Sequence, residues 1–266
     1  MLPPAERARV EAFLEGGAPE VDEFGMDPRA VAAAYRYAYW LHRSYFRVRS
    51  WGHEHIPARG PAVLAGNHGG VLPYDALMLV TDLFRRMDPP RVLHCMVDHF
   101  VYRWPFLGLL FRQWGQFAGT RRNFEGLLER GQLVGVFPEG ASALTKAPDN
   151  DYRLRDFTPG HLEIAARQRV PVIPFGIMGS EEQMTLISSA QPIARWLKLP
   201  FLPLTTTLLL PKPVRYLIAY GEPLVIDEAV THNATVRAAE VRRVQAAVER
   251  LIEDARKERA RWTEGV

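Results

Sequence analysis

The stretch AVLAGNHGGVLPYDALMLVTDLFRR, residues 62–86, decides the fold. Residues 62–67 are short, apolar on both faces and closed by a glycine pair, the pattern of a strand buried in a sheet. Residues 75–86 read as a helix entered on an acidic first turn. The same alternation runs outward in both directions. Strands are predicted near Val48 and over 91–97, 133–137, 171–177 and 214–221. Helices are predicted over 99–114 with a break at Trp104-Pro105, over 123–130 and over 159–169. Strands separated by helices predict an α/β layered domain with a largely parallel central sheet, whose chemistry lies in loops at strand ends.

The 266 residues, 47% apolar and 24% charged, suffice for one sizeable core. The longest uncharged run is the fifteen residues from Gly60 to Tyr74, which contains Asn67 and His68, so no helix spanning a bilayer is expected. A single cysteine, Cys95, excludes an internal disulfide and fits a reducing compartment. The start of the chain has no signal-peptide core, so a cytoplasmic location is expected.

Residues 1–28 hold seven acids and two bases, net −5, which leaves +8 on the rest against a total of +3. Of 33 basic residues only four are lysine. Arginine forks suit phosphate and carboxylate, which favours anionic partners without choosing among them.

Two segments are candidates for a lipid interface. Residues 28–47, begun by Asp27-Pro28, place Tyr35, Tyr39, His42 and Phe46 on one helical face and Tyr37, Trp40 and Ser44 on another. Such a helix packs on the core with both faces, or with one face while the other meets lipid. Residues 191–211 carry four prolines and no clean period, with Trp196, Leu197, Leu199, Phe201 and Leu202 beside Arg195 and Lys198. They either cap the core or project toward lipid. A last helix over 235–261 is expected to dock through Val241, Val244, Val248, Leu251 and Ile252. The division expected is a helical leader, 1–45, followed by one domain, 46–266.

The chemistry gathers at the end of the first quoted strand. His68 follows it directly, and Asp75 opens the helix after the glycine turn. A carboxylate that holds an imidazole by one nitrogen fixes its tautomer, raises its basicity and leaves the other nitrogen to act as a base. The competing reading is that Asp75 only caps its helix. Three further blocks follow in order: GQFAGTRRN (115–123), VGVFPEGAS (134–142) and VPVIPFGIMGSEE (170–182).

Together these blocks resemble the glycerophospholipid acyltransferase family, whose best-known member acylates lysophosphatidic acid, over roughly residues 46–225. The resemblance implies acyl transfer from acyl-CoA or acyl carrier protein, as co-substrate and with no resident cofactor, to a lipid hydroxyl. His68 matches the family's general base and Asp75 its orienting carboxylate. Phe137, Pro138, Glu139 and Gly140 match its acceptor-binding loop, with Arg121 matching the basic residue on the acceptor's phosphate. Val172 and Pro174 match the strand associated with the acyl pocket. Lysophosphatidic acid is the acceptor this implies, reached by peripheral contact with the inner face of a membrane.

Two departures matter. Six residues separate His68 from Asp75 where the family usually has four, and the position two residues after the Phe-Pro-Glu-Gly block is Ser142, where many members have arginine. The second departure weakens the hold on a phosphorylated acceptor and keeps a neutral or unusual lipid alcohol open. A lipid or acyl-thioester binder without turnover is the reading from outside the enzymes. No G-x-S-x-G nucleophile occurs, and neither a P-loop nor a G-x-G-x-x-G motif. His94 and Cys95 point to opposite faces of a strand, which argues against a metal site. The scattered arginines lack a nucleic-acid recognition motif.

Overall fold

The computed structural model describes residues 2–16, 20–69, 72–99, 101–103, 105–140, 152–184, 186–189, 203–205 and 210–264. Its centre is a seven-stranded sheet. The strands are β1 (Arg49–Trp51), β2 (Ala62–Gly66), β3 (Leu93–Val97), β4 (Phe117–Ala118), β5 (Leu133–Val136), β6 (Val172–Met178) and β9 (Leu217–Tyr220). They lie in the order β1-β9-β6-β2-β5-β3-β4. From β6 to β4 all neighbours are parallel, and β9 pairs antiparallel with β6 and parallel with β1. A separate hairpin joins β7 (Leu186–Ser189) to β8 (Pro203–Thr205).

Seven α-helices are present among the described residues: α1 (Pro4–Gly16), α2 (Pro28–Trp40), α3 (Tyr74–Arg86), α4 (Pro105–Gln113), α5 (Arg121–Glu129), α6 (Gly160–Gln168) and α7 (Ala234–Glu264). The strand pleat sends alternate residues into two cores. Val63, Ala65, Val134, Val136 and Val172 pack under α5, α6 and α7 with Phe124, Leu162, Val248 and Ile252. Ala62, Leu64, Leu133, Ile173, Phe175 and Ile177 pack under α3 with Met78, Leu79 and Leu83. Both faces of the parallel strands are therefore covered, which accounts for their unbroken apolar sequence.

The expected alternation stands, with differences of detail. The strand β4 escaped prediction because it is two residues long and pairs only with β3. The helix expected over 28–47 is α-helical only to Trp40. It then widens into a π-turn, Leu41–Tyr45, closed by the Phe46 N–H to Leu41 C=O bond at 2.8 Å. A π-turn rotates the residues beyond it, and here it coincides with His42 entering a sealed polar cluster. His42 Nε2 lies 3.0 Å from Asp82 Oδ1, which also accepts the Ser50 hydroxyl, while the Tyr220 hydroxyl donates to Oδ2.

Helix α1 packs with α2 on α3 through Val10, Val31, Ala32, Tyr35 and Phe84. On α2 the Tyr35 face is buried, whereas Tyr37 and Trp40 are exposed and stacked on each other, with centroids 6.3 Å apart. The segment 195–202, the other lipid-interface candidate, lies outside the described residues.

Candidate active site

The parallel strands β2, β5 and β6 end side by side, and the candidate chemistry sits on those ends. Asn67 clamps the end of β2 to β6: its Nδ2 donates to Ile177 C=O at 2.8 Å, and its Oδ1 accepts the Ile177 N–H at 2.7 Å. The next residue, His68, thus leaves a fixed backbone.

Its Nδ1 lies 2.6 Å from Asp75 Oδ2. That carboxylate is fully buried and is held in turn, accepting the N–H of Gly69 at 2.9 Å and of Ala76 at 2.8 Å. The His68 side chain keeps 15% exposure, and its ring lies 4.6 Å from that of Phe137, which meets Phe175 edge-on. The longer loop between His68 and Asp75 therefore does not separate them. Residues 70 and 71 of that loop lie outside the described residues, and Gln183 Nε2 reaches Leu72 C=O beyond them at 3.4 Å.

Phe137, Pro138, Glu139 and Gly140 follow β5 and are brought to His68. Glu139 is 4% exposed, with Oε1 accepting the His68 N–H at 3.0 Å and Oε2 the Arg155 N–H at 2.7 Å. Bonds of a carboxylate to backbone amides fix loop geometry, so Glu139 bears on the site through the His68 backbone. Pro138 is buried and its carbonyl accepts the Thr158 N–H and hydroxyl. Gly140 closes the turn at a φ of 59°. The 152–158 segment that meets this turn carried no motif, so sequence reasoning did not place it here.

Other expected residues stand elsewhere. Arg121 opens α5 beyond β4, three strands and about 14 Å across the sheet from β2. It is half-exposed, and its Nε lies 2.8 Å from Glu125 of the same helix. Val172 is fully buried in the core under α5, α6 and α7, and Pro174 shares its strand face, touching the position of Gly221. The pleat carries Ile173 and Phe175 to the His68 side instead. The structure thus does not gather Arg121, Val172 or Pro174 with His68. The serine and lysine after Gly140 lie outside the described residues.

Behind the site a second polar group ties β6 to the helices. Tyr152 donates to Glu182 at 2.9 Å and accepts the Gly179 N–H at 2.6 Å, and the Arg259 guanidinium of α7 pairs with both Glu182 oxygens. Ser180 is fully buried, and its Oγ finds no hydrogen-bond partner among the described residues. It lies against Gly69, occupying the space that a Cβ there would need. Cys95 is 2% exposed in β3, and burial pushes its thiol well above the ordinary range, which unsuits it as a nucleophile. No cluster of three or more metal-binding side chains occurs among the described residues.

Residues 47–178 match the family profile described as Acyltransferase. An uncharacterized protein of Mycobacterium tuberculosis, Rv0502, is 34% identical over 239 residues, covering 85% of this chain and 67% of its own length. A human protein named DGAT1/2-independent enzyme synthesizing storage lipids is 25% identical over 184 residues, 68% of this chain. The chain spans about half the length of that relative, 54%. Among solved structures, the 1-acyl-sn-glycerophosphate (LPA) acyltransferase PlsC from Thermotoga maritima superposes with a TM-score of 0.57 at 19% identity, covering 96% of this chain and 84% of that one. A fold with the His68–Asp75 pair at its strand ends and a matched profile from β1's entry to the last residue of β6 leads to one assignment: this chain belongs to the acyltransferase family.

Proposed function

We propose that this acyltransferase moves a fatty acyl group from an acyl thioester, acyl-CoA or acyl carrier protein, to the hydroxyl of a lipid. The observation that carries the reading is the 2.6 Å contact between His68 Nδ1 and Asp75 Oδ2. Held by Nδ1, the imidazole takes the hydroxyl proton through Nε2. The acceptor oxygen attacks the thioester carbonyl carbon, the carbon–sulfur bond breaks, and the imidazolium returns the proton to the leaving thiolate. No acyl-enzyme is required. Glu139 is a positioning residue in this scheme, since its carboxylate fixes the His68 backbone.

Lysophosphatidic acid is the first acceptor to consider. A second reading, a neutral lipid alcohol, is favoured by a specific observation: Arg121 pairs with Glu125 and opens the helix after β4, three strands across the sheet from β2. The human relative's name, with its storage lipids, supports the same reading. In this reading the acceptor is met by peripheral contact with a membrane; no helix among the described residues is long and apolar enough to cross one.

The experiment is a panel of lysophosphatidic acid, monoacylglycerol and long-chain alcohol acceptors with one radiolabelled acyl-CoA, resolved by lipid chromatography. A product that His68→Ala abolishes supports the reading; equal product from wild type and His68→Ala removes the base from the account. Retained turnover of lysophosphatidic acid in Arg121→Ala, at unchanged KM, separates the acceptor's phosphate from this arginine.

A further inference from the structure

The exposed apolar side chains are concentrated on one element. Helix α4 presents Phe106 at 82% exposure, with Leu109, Leu110 and Leu107 between 40% and 54%. Phe106, Leu109 and Leu110 stand at i, i+3 and i+4, one stripe on a nine-residue helix. A monomer that turns such a stripe to water has a partner for it.

The surroundings say which partner. The last turn of α4 abuts the start of α2, where the Asp27 N–H donates to Gln113 C=O at 3.0 Å. Helix α2 carries the exposed, stacked rings of Tyr37 and Trp40 toward its other end. Residues 28–47 and 99–124 contain no acidic side chain at all. Helix α2 instead exposes Arg36, and the turn beyond it Arg43, which shares a cleft with Asp254 and Glu258, and Arg47, which donates to Pro213 C=O. Of the four acids just before α2, three are engaged within the chain: Asp22 accepts the Phe24 and Met26 N–H groups, Glu23 pairs with Arg130, and Asp27 caps α2, while Glu20 is exposed. An apolar stripe on a segment without acids, on a helix that abuts one bearing exposed aromatic rings and an arginine, is complementary to a bilayer bearing anionic headgroups.

We propose that α4 inserts its Phe106–Leu110 stripe into the interfacial layer of an anionic membrane while Arg36 of α2 lies on the headgroups. The inference rests on the reading of the acceptor as a bilayer lipid and names the surface that meets it. Because α4 follows β3 at the same sheet end that carries His68, docking through α4 brings that end toward the lipid.

The test is cosedimentation of the full chain with phosphatidylcholine vesicles, with and without phosphatidylglycerol. Wild type is expected to bind the anionic vesicles and to be released by salt. The double variant Phe106→Asp, Leu110→Asp is expected to lose at least about tenfold in partition coefficient, each charge opposing insertion. Its circular dichroism melting curve checks the fold, and Phe106→Trp, with a blue-shifted emission on anionic vesicles, supplies an arm that needs no destabilising charge. Undiminished binding by the double variant, or equal wild-type binding to both vesicle types, would overturn the proposal. So would a concentration-dependent dimer in sedimentation velocity that Phe106→Asp abolishes, since a second copy would then be the occupant. Acyl transfer to a monomeric short-chain acceptor, unchanged in the double variant, keeps this outcome distinct from a failure of the catalytic reading.

Discussion

The carboxylate of Asp75 holds His68 twice over: its Oδ2 lies 2.6 Å from the ring Nδ1 and accepts the N–H of the following residue, Gly69, at 2.9 Å. The acid thus sets both the ring's tautomer and the turn that presents it. Asp75→Asn keeps the shape but offers an amide where the ring needs an acceptor. A fall in kcat of roughly 10² to 10⁴ is expected, with little change in acceptor KM. Steady-state kinetics with the acceptor that the panel identifies, alongside circular dichroism, decide it; an Asn variant with wild-type kcat removes Asp75 from the chemistry.

One helix carries a second histidine–aspartate pair. Asp82 stands seven residues after Asp75 on α3, but its partner His42 has no exposure, against 15% for the His68 side chain. Burial raises the Asp82 carboxyl, and the bonds to His42 and Ser50 with the nearby Arg86 more than offset it, so its pKa lies below the ordinary value. Asp82 joins the π-turn, β1 and β9 through three bonds and is sealed from substrate. Asp82→Ala is therefore expected to cost about 3–5 kcal/mol of stability, while kcat per folded molecule is unchanged. Urea unfolding and kinetics at low temperature read the two quantities separately. A variant of full stability and low kcat would make this pair part of the reaction.

The fold was legible where chemistry repeats along the chain. Apolar strands, glycine turns and proline helix starts located β2, β3, β5, β6, α3 and α6 within a few residues, because each is specified by its own local pattern. His68, Asp75 and Glu139 were legible because each follows or precedes such an element at a strand end. The contrary cases depend on tertiary placement. Whether Val172 or Phe175 faces the site is decided by the register of β6 against β2, and Arg121 lost its expected place to the lateral position of β4. Likewise the Arg155 N–H reaches Glu139 only through the return of the 152–158 segment, which no local signal announces.

Acid is expected to destabilise the fold through its buried histidines, His161 foremost. Burial of His161 in α6 lowers its pKa from 6.5 to about 4, outweighing its backbone bond to Thr158. Between those two values the unfolded chain binds the proton and the folded chain does not, so stability declines as pH falls from about 6.5 toward 4. The full span is worth about 3 kcal/mol. Burial also lowers His42 and His94, which add in the same direction. Thermal midpoints measured across this window are expected to drop for wild type and to drop less for His161→Leu. Parallel curves for the two proteins would show that another group governs the loss.

The contact between Gly69 and Ser180 makes the last expectation quantitative. A Cβ at Gly69 would lie 2.5 Å from Ser180 Oγ and 2.8 Å from Glu181 Cγ, so Gly69→Ala displaces the turn that carries His68. The Ser180 hydroxyl, buried without a partner among the described residues, makes no bond there. Ser180→Ala alone is expected to leave stability unchanged or raise it by about 1 kcal/mol, because an unsatisfied polar group is removed. Gly69→Ala alone is expected to lower both the melting midpoint and kcat. In the double variant the Oγ contact is gone but the Glu181 contact persists, so recovery is partial, with a coupling of about 0.5–3 kcal/mol. Melting curves and kcat for the four proteins complete the cycle. Strict additivity would mean that the two residues do not press on each other, and that Gly69 is required for a reason other than the space Ser180 fills.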